Sequence, residues 1–246
     1  MAKNGYKAMD SDMHVFEPAD LWQRYIDKNY LERAPKGLNR SFRDLGIELE
    51  GKIMPIPRQP ENPALAKYRQ DFFEEKYGEA GKRNFDGVSQ LQAMDKEGLD
   101  VAVLFPTRGL TALGMDGLDP DFATAIARAY NNWLHDFAQA NPQRMYGVTM
   151  VAPHDITGSI EEIRRTVNEY GFRGIFIRPN HVNNKNGAIP TTIRFGRNAK
   201  SSICRWAFTR PAAFICRSRR SFTSVRPFRC STPSAFPSPT CSPAAT

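Results

Sequence analysis

Residues 89–107 read SQLQAMDKEGLDVAVLFPT and hold one complete helix-to-strand unit. Ser89 is a possible N-cap and Gly98 a C-terminal stop, so the first ten residues read as a short helix. Leu99–Phe105 is an apolar run but for Asp100, as a strand buried on both faces requires. The same unit recurs downstream. Asp119-Pro120 pairs an N-cap with a proline at the first helical position, and Phe122, Ile126, Tyr130, Trp133 and Phe137 follow at helical spacing. Asn141-Pro142 ends that helix, and MYGVTMVAP (145–153) reads as a strand. Residues 157–170 predict a further helix with Ile160, Ile163 and Val167 on one face and Gly171 as its stop, and FRGIFIRP (172–179) a further strand. Repeated helix–strand units with buried strands imply a parallel α/β sheet.

Upstream, Tyr6–Phe16 predicts the first strand, ending near Asp12–His14, and Pro18 sits where a helix can begin. Leu21, Trp22 and Tyr25 share one helical face. Residues 33–85 are polar and proline-bearing, with one helix expected near Ala64–Tyr77, and read as a long excursion after strand one. No strand is followed by GxGxxG or GxxxxGK[ST], the usual signature of nucleotide-binding open sheets. Polar residues do gather after the strands: Asp12 and His14, Thr107 and Arg108, His154 and Asp155, then Arg178, Asn180 and His181. Barrel enzymes place their chemistry at those ends. Asp12 and His14 are two apart on a strand and share a face, so a carboxylate and an imidazole converge in a way that suits a divalent metal. The competing reading is a solvated strand end. Arg178 and His181 are placed to contact an acidic substrate, Arg178 alternatively forming a surface ion pair. His154 can instead cap the following helix, and His135 falls on a polar helix side. Glu17 either supports the metal motif or starts the helix.

The chain has 246 residues, with 41% hydrophobic and 24% charged, ordinary values for a globular protein. No apolar run reaches the ~18–20 residues of a membrane helix, and the first residues lack an apolar signal region, so a cytoplasmic protein is expected. The net charge of +8 is unevenly placed. Residues 191–246 carry nine Arg, one Lys and no acidic residue, whereas residues 1–190 carry 24 basic and 26 acidic residues. All four cysteines (Cys204, Cys216, Cys230, Cys241) also lie in that last segment. Their spacing lacks the paired clusters of structural zinc sites.

DSDMHVFEPADLW (10–22) resembles the opening of the amidohydrolase-related proteins, in the branch of aminocarboxymuconate semialdehyde decarboxylase and similar metal-dependent enzymes. QLQAMDKEGLDVAVLFPT (90–107), ARAYNNWLHDFAQANPQRMYGVTMVAPHD (127–155) and EEIRRTVNEYGFRGIFIRPN (161–180) resemble the family's next units, in order, over residues 8–183. The resemblance implies the first half of a TIM-like (β/α)8 barrel with a long insertion after strand one. It also implies a divalent metal, zinc foremost, held by Asp12 and His14, where the family more often has H-x-H. The activity implied is hydrolysis of C–N or C–O bonds, or decarboxylation of a small, aromatic carboxylic acid. The implied partner is a small-molecule substrate, with a homo-oligomer for full-length members and no membrane.

The resemblance stops abruptly, and the chain divides into residues 1–183, a partial barrel, and 184–246, an Arg/Ser/Pro-rich tail. A frameshift near residues 184–190 accounts for the break. Read one base out of register, a consistent choice of codons for residues 191–221 yields a string containing FHEAG, which resembles the family's continuation. Taken literally, the tail is a non-native, disordered segment, and four barrel strands with two metal ligands predict an inactive, poorly stable chain. The alternative is a non-enzymatic remnant or binding protein whose basic tail contacts nucleic acid.

Overall fold

The computed structural model describes residues 5–40, 44–55, 63–177, 182–183, 205–209 and 213–217. Strand β1 (Met9–His14) leads into the short helix α1 (Leu21–Tyr25) and a 3₁₀ turn over Lys28–Arg33. The excursion that follows contains more than the expected helix. It carries a small antiparallel sheet, ordered β2 (Lys36–Gly37), β3 (Ile47–Leu49), β4 (Lys52–Met54), before α2 (Pro63–Lys82). Strands of two or three residues leave almost no periodic signal in the sequence.

From there the predicted rhythm holds. α3 (Gly87–Glu97) precedes β5 (Val101–Phe105), the four-residue α4 (Gly109–Ala112) precedes α5 (Pro120–Ala138), and β6 (Met145–Met150), α6 (Ile156–Glu169) and β7 (Gly174–Phe176) follow. The strands β1, β5, β6 and β7 pair parallel in that order. This is the half-barrel the units implied. Beyond it, β8 (Arg205–Thr209) and β9 (Ala213–Arg217), in the segment expected to be irregular, form an antiparallel pair, and β9 lies antiparallel to β7.

Local chemistry sets the boundaries. Asp119 caps α5 by accepting from the Phe122 N–H at 2.9 Å, as expected. Gly98 ends α3 in the left-handed region at φ 74°. The cap of α3 is Asp86 rather than Ser89: the Asp86 carboxylate accepts from the Ser89 N–H at 2.8 Å. The helix thus starts one turn earlier than the hydroxyl suggested, because a carboxylate three residues upstream of Ser89 satisfies the orphan Ser89 N–H. α5 buries Phe122, Ile126, Tyr130 and Leu134 against the sheet and α1, and the Trp22 indole N–H donates to the Ile126 carbonyl at 3.3 Å. No helix among the described residues is long and apolar enough to cross a membrane.

Candidate metal site at the end of strand one

Strand β1 does not run evenly beside β5. Asp10 faces Ala102 and Met13 faces Leu104, so the register slips by one residue between them. Such bulges re-aim side chains near sites. Beside the slip, the Asp12 N–H donates to Oδ1 of Asp10 at 2.9 Å.

Asp12 and His14 emerge together. The Oδ1 of Asp12 and Nε2 of His14 lie 3.9 Å apart, too far for a hydrogen bond and close enough for one cation to touch both. Both side chains are accessible. His14 Nδ1 is 2.6 Å from the Pro106 carbonyl oxygen. A carbonyl only accepts, so Nδ1 carries a proton, and in a neutral imidazole the lone pair is then on Nε2, the nitrogen on the Asp12 side. That is the arrangement a ligating imidazole adopts, its other nitrogen tied to a carbonyl. The residues present therefore fit a divalent metal, as two members of its ligand set. Among the described residues no group of three His, Cys, Asp or Glu is placed to hold an ion. A cleft of about 210 Å³ adjoins His14, with Phe16, Tyr77, Phe85 and Gln90 in its walls.

Glu17 does not start helix α1. It is fully buried, and its carboxylate accepts from three consecutive backbone N–H groups: Thr107 at 3.0 Å, Arg108 at 2.7 Å and Gly109 at 2.9 Å. It holds the turn after β5, not the start of α1. Burial raises its carboxyl above the usual glutamate range against the downward pull of those N–H groups. Gly109 allows the approach, since a Cβ there would lie 3.1 Å from Glu17 Oε1.

Arg108, one of the polar residues after β5, is also buried. Its guanidinium donates to the carbonyls of Leu38 (3.1 Å), Gly46 (2.9 Å) and Asp44 (2.6 Å). It ties the small sheet to the barrel and is not presented to a substrate. His154 Nε2 meets the Met115 carbonyl at 2.7 Å, while Asp155 caps α6 through the Gly158 N–H at 3.0 Å. His135 stacks on Tyr170 with centroids 3.9 Å apart rather than standing free in solvent. Arg178 and His181 lie outside the described residues, as does most of the basic tail on which nucleic-acid contact depends. Sequence reasoning missed the Pro106 carbonyl, because a main-chain acceptor has no residue signature. The signal for Glu17 was an acidic residue between Phe16 and Pro18.

Several solved structures are similar to this chain. An amidohydrolase from Mycobacterium avium subsp. paratuberculosis K-10 aligns over 78% of this chain and 56% of its own, with 17% identity and a TM-score of 0.53. A D314N mutant 5-carboxyvanillate decarboxylase from Novosphingobium aromaticivorans, solved with bound manganese, aligns over 81% of this chain and 49% of its own, with 23% identity and a TM-score of 0.49. A 2,6-dihydroxybenzoate decarboxylase from Rhizobium aligns over 80% and 46%, with 15% identity and a TM-score of 0.43. The chain thus spans about half the length of the solved structures it matches. The family model described as Amidohydrolase matches residues 9–194, from the first residue of β1 past the end of β7. With the parallel half-barrel already seen in the strands, that match places the chain in the amidohydrolase family.

Proposed function

We propose that this chain carries the metal-holding first strand of a metal-dependent amidohydrolase-family enzyme. Its substrate is a small, aromatic carboxylic acid that loses its carboxyl group or is hydrolysed at a C–N or C–O bond. The observation that supports this best is the Asp12–His14 pair, 3.9 Å apart, with the Nε2 lone pair of His14 left open. A divalent ion, when bound, supplies Lewis-acid polarisation of a substrate oxygen. The chain's own residues do the rest. Asp12 contributes negative charge and His14 a neutral nitrogen donor. Phe16 and Phe85, whose ring centroids are 4.8 Å apart, give the adjoining cleft an apolar wall suited to an aromatic ring. Arg178 and His181, after β7, are our candidates for the substrate's carboxylate.

Two ligands are one fewer than a catalytic zinc site uses. The literal chain is therefore expected to bind metal weakly and to turn nothing over. The charge boundary near residue 190 favours a reading-frame change as the origin of residues 184–246. Resequencing codons 180–195 tests this, since a one-base correction restoring FHEAG makes the natural product a full barrel. Titration of the purified chain with Mn²⁺, followed by electron paramagnetic resonance, tests the site. Asp12→Asn and His14→Gln are each expected to weaken binding at least tenfold (roughly the ligand-shell magnitude). Unchanged binding in both variants sinks the metal reading.

A further inference from the structure

We propose that Glu17 is a positioning residue that sets the tautomer of His14 through one peptide plane. The inference rests on the metal reading of His14 and deepens it. The Pro106–Thr107 peptide is gripped at both poles. Its carbonyl oxygen lies 2.6 Å from His14 Nδ1, and its N–H donates to Glu17 Oε1 at 3.0 Å. In a trans peptide those two groups are rigidly coplanar and point in opposite directions. Rotating the plane to aim the carbonyl elsewhere therefore breaks the bond to Glu17. The plane cannot slip along the carboxylate either, because Arg108 and Gly109 donate to it as well, at 2.7 and 2.9 Å.

The result is a fixed acceptor facing one nitrogen of the imidazole. A fixed carbonyl demands a proton on Nδ1 and leaves Nε2 as the nitrogen able to donate its lone pair. Glu17 never touches His14 in this scheme. It reaches the ring by a detour, from just past β1 to Thr107, 90 residues on, and from Pro106 back across 92 residues to His14. The arrangement explains why an acidic side chain is completely buried three residues after His14. Three N–H donors that converge on one point, away from water, need an acceptor with several lone pairs and no proton to place.

The test is ¹⁵N-histidine NMR of the full chain at pH 8 in metal-free buffer. The chain has four histidines, and His14→Gln assigns the signal of interest. In the unaltered chain His14 is expected almost wholly as the Nδ1–H tautomer. Glu17→Ala removes the acceptor and is expected to give a mixture, with the Nε2–H form rising at least about threefold once the peptide is free to turn. Glu17→Asp, which withdraws the carboxylate by one carbon and keeps its charge, is the milder variant should the alanine chain not fold. Glu17→Gln is expected to rescue the Nδ1–H form, because its amide oxygen can still accept from Thr107 and Gly109. A merely stabilising role predicts a lower melting temperature with no change of tautomer. An Nε2–H signal for His14 in the unaltered chain, or an unchanged Nδ1–H signal in folded Glu17→Ala or Glu17→Asp, overturns the proposal. Failure of the metal reading looks different: Mn²⁺ affinity indifferent to His14→Gln, with the tautomer response to Glu17 intact.

Discussion

At the scale of single residues, the half-barrel is joined to its excursion by close approaches that leave no room for a methyl group. A Cβ on Gly37 would lie 2.5 Å from the Ala19 Cα and 2.5 Å from Arg108 Nη1. The first contact is backbone and cannot swing away. Gly37→Ala is therefore expected to cost about 1–3 kcal/mol, read as a lower urea midpoint at unchanged m-value. The same corner carries a pH dependence. Arg40 donates to the Asp44 carboxylate at 2.6 Å and, with the Gly46 N–H, holds its carboxyl down to about 2 from 3.8. A carboxyl depressed on folding adds stability above its unfolded value and loses it as pH falls through the folded one. Stability from this corner is thus expected to be full above about pH 4 and to drain away toward pH 2. In Asp44→Asn that part of the acid dependence should vanish from a series of denaturation curves. Neither feature could be foreseen. Gly37, Ala19 and Arg108 meet only because the excursion folds back, and no local pattern encodes that return.

At the scale of elements, the legible parts were those whose signal is local. α5 was readable to its cap because Asp119, Pro120 and the apolar stripe all act within a few residues of one another. The start of α3 was misjudged because Asp86 and Ser89 are both plausible caps, and only the bond between them distinguishes their roles. Asp86→Ala is expected to lower stability by about 1 kcal/mol, whereas Ser89→Ala should leave the cap intact. A thermal-melt comparison of the two separates the assignments. Elsewhere one polar residue joins three elements. Asn131 of α5 accepts from the Met150 N–H at 2.8 Å and donates to the Met150 carbonyl at 3.0 Å and to Glu162 of α6 at 2.9 Å. Glu162 is buried and also receives Arg165 at 2.6 Å. Removing that amide strands backbone groups of β6 in the core. Asn131→Ala is expected to cost about 2–4 kcal/mol in chemical denaturation. α2 is the opposite case: residues 63–68 and 70–72 are exposed, and Lys67–Asp71 and Gln70–Glu74 bonds run along its own surface. An unpacked helical stretch of about ten residues is too short to be stable on its own in water, so the first half of α2 should exchange amide hydrogens far faster than α5.

At the scale of the whole molecule, the architecture was legible because buried parallel strands leave largely apolar runs, and three of these, β5, β6 and β7, appear in order after the polar first strand. The candidate site was legible only in its side chains, Asp12, His14 and Glu17. The peptide that organises them belongs to another strand. That separation has a consequence in time. His14 and its carbonyl acceptor at Pro106 are 92 residues apart. β1 leaves the ribosome first, yet it cannot take its place in the sheet until β5 exists to receive it. At 5–20 residues per second, translation alone imposes a wait of about 5–20 s. Once β5 (Val101–Phe105) has emerged it can receive β1, before β6 (Met145–Met150) and β7 (Gly174–Phe176) have been made. The bulged end of β1 thus waits for a strand made much later in the chain, and metal-binding competence should appear only when the chain closes back on its own beginning.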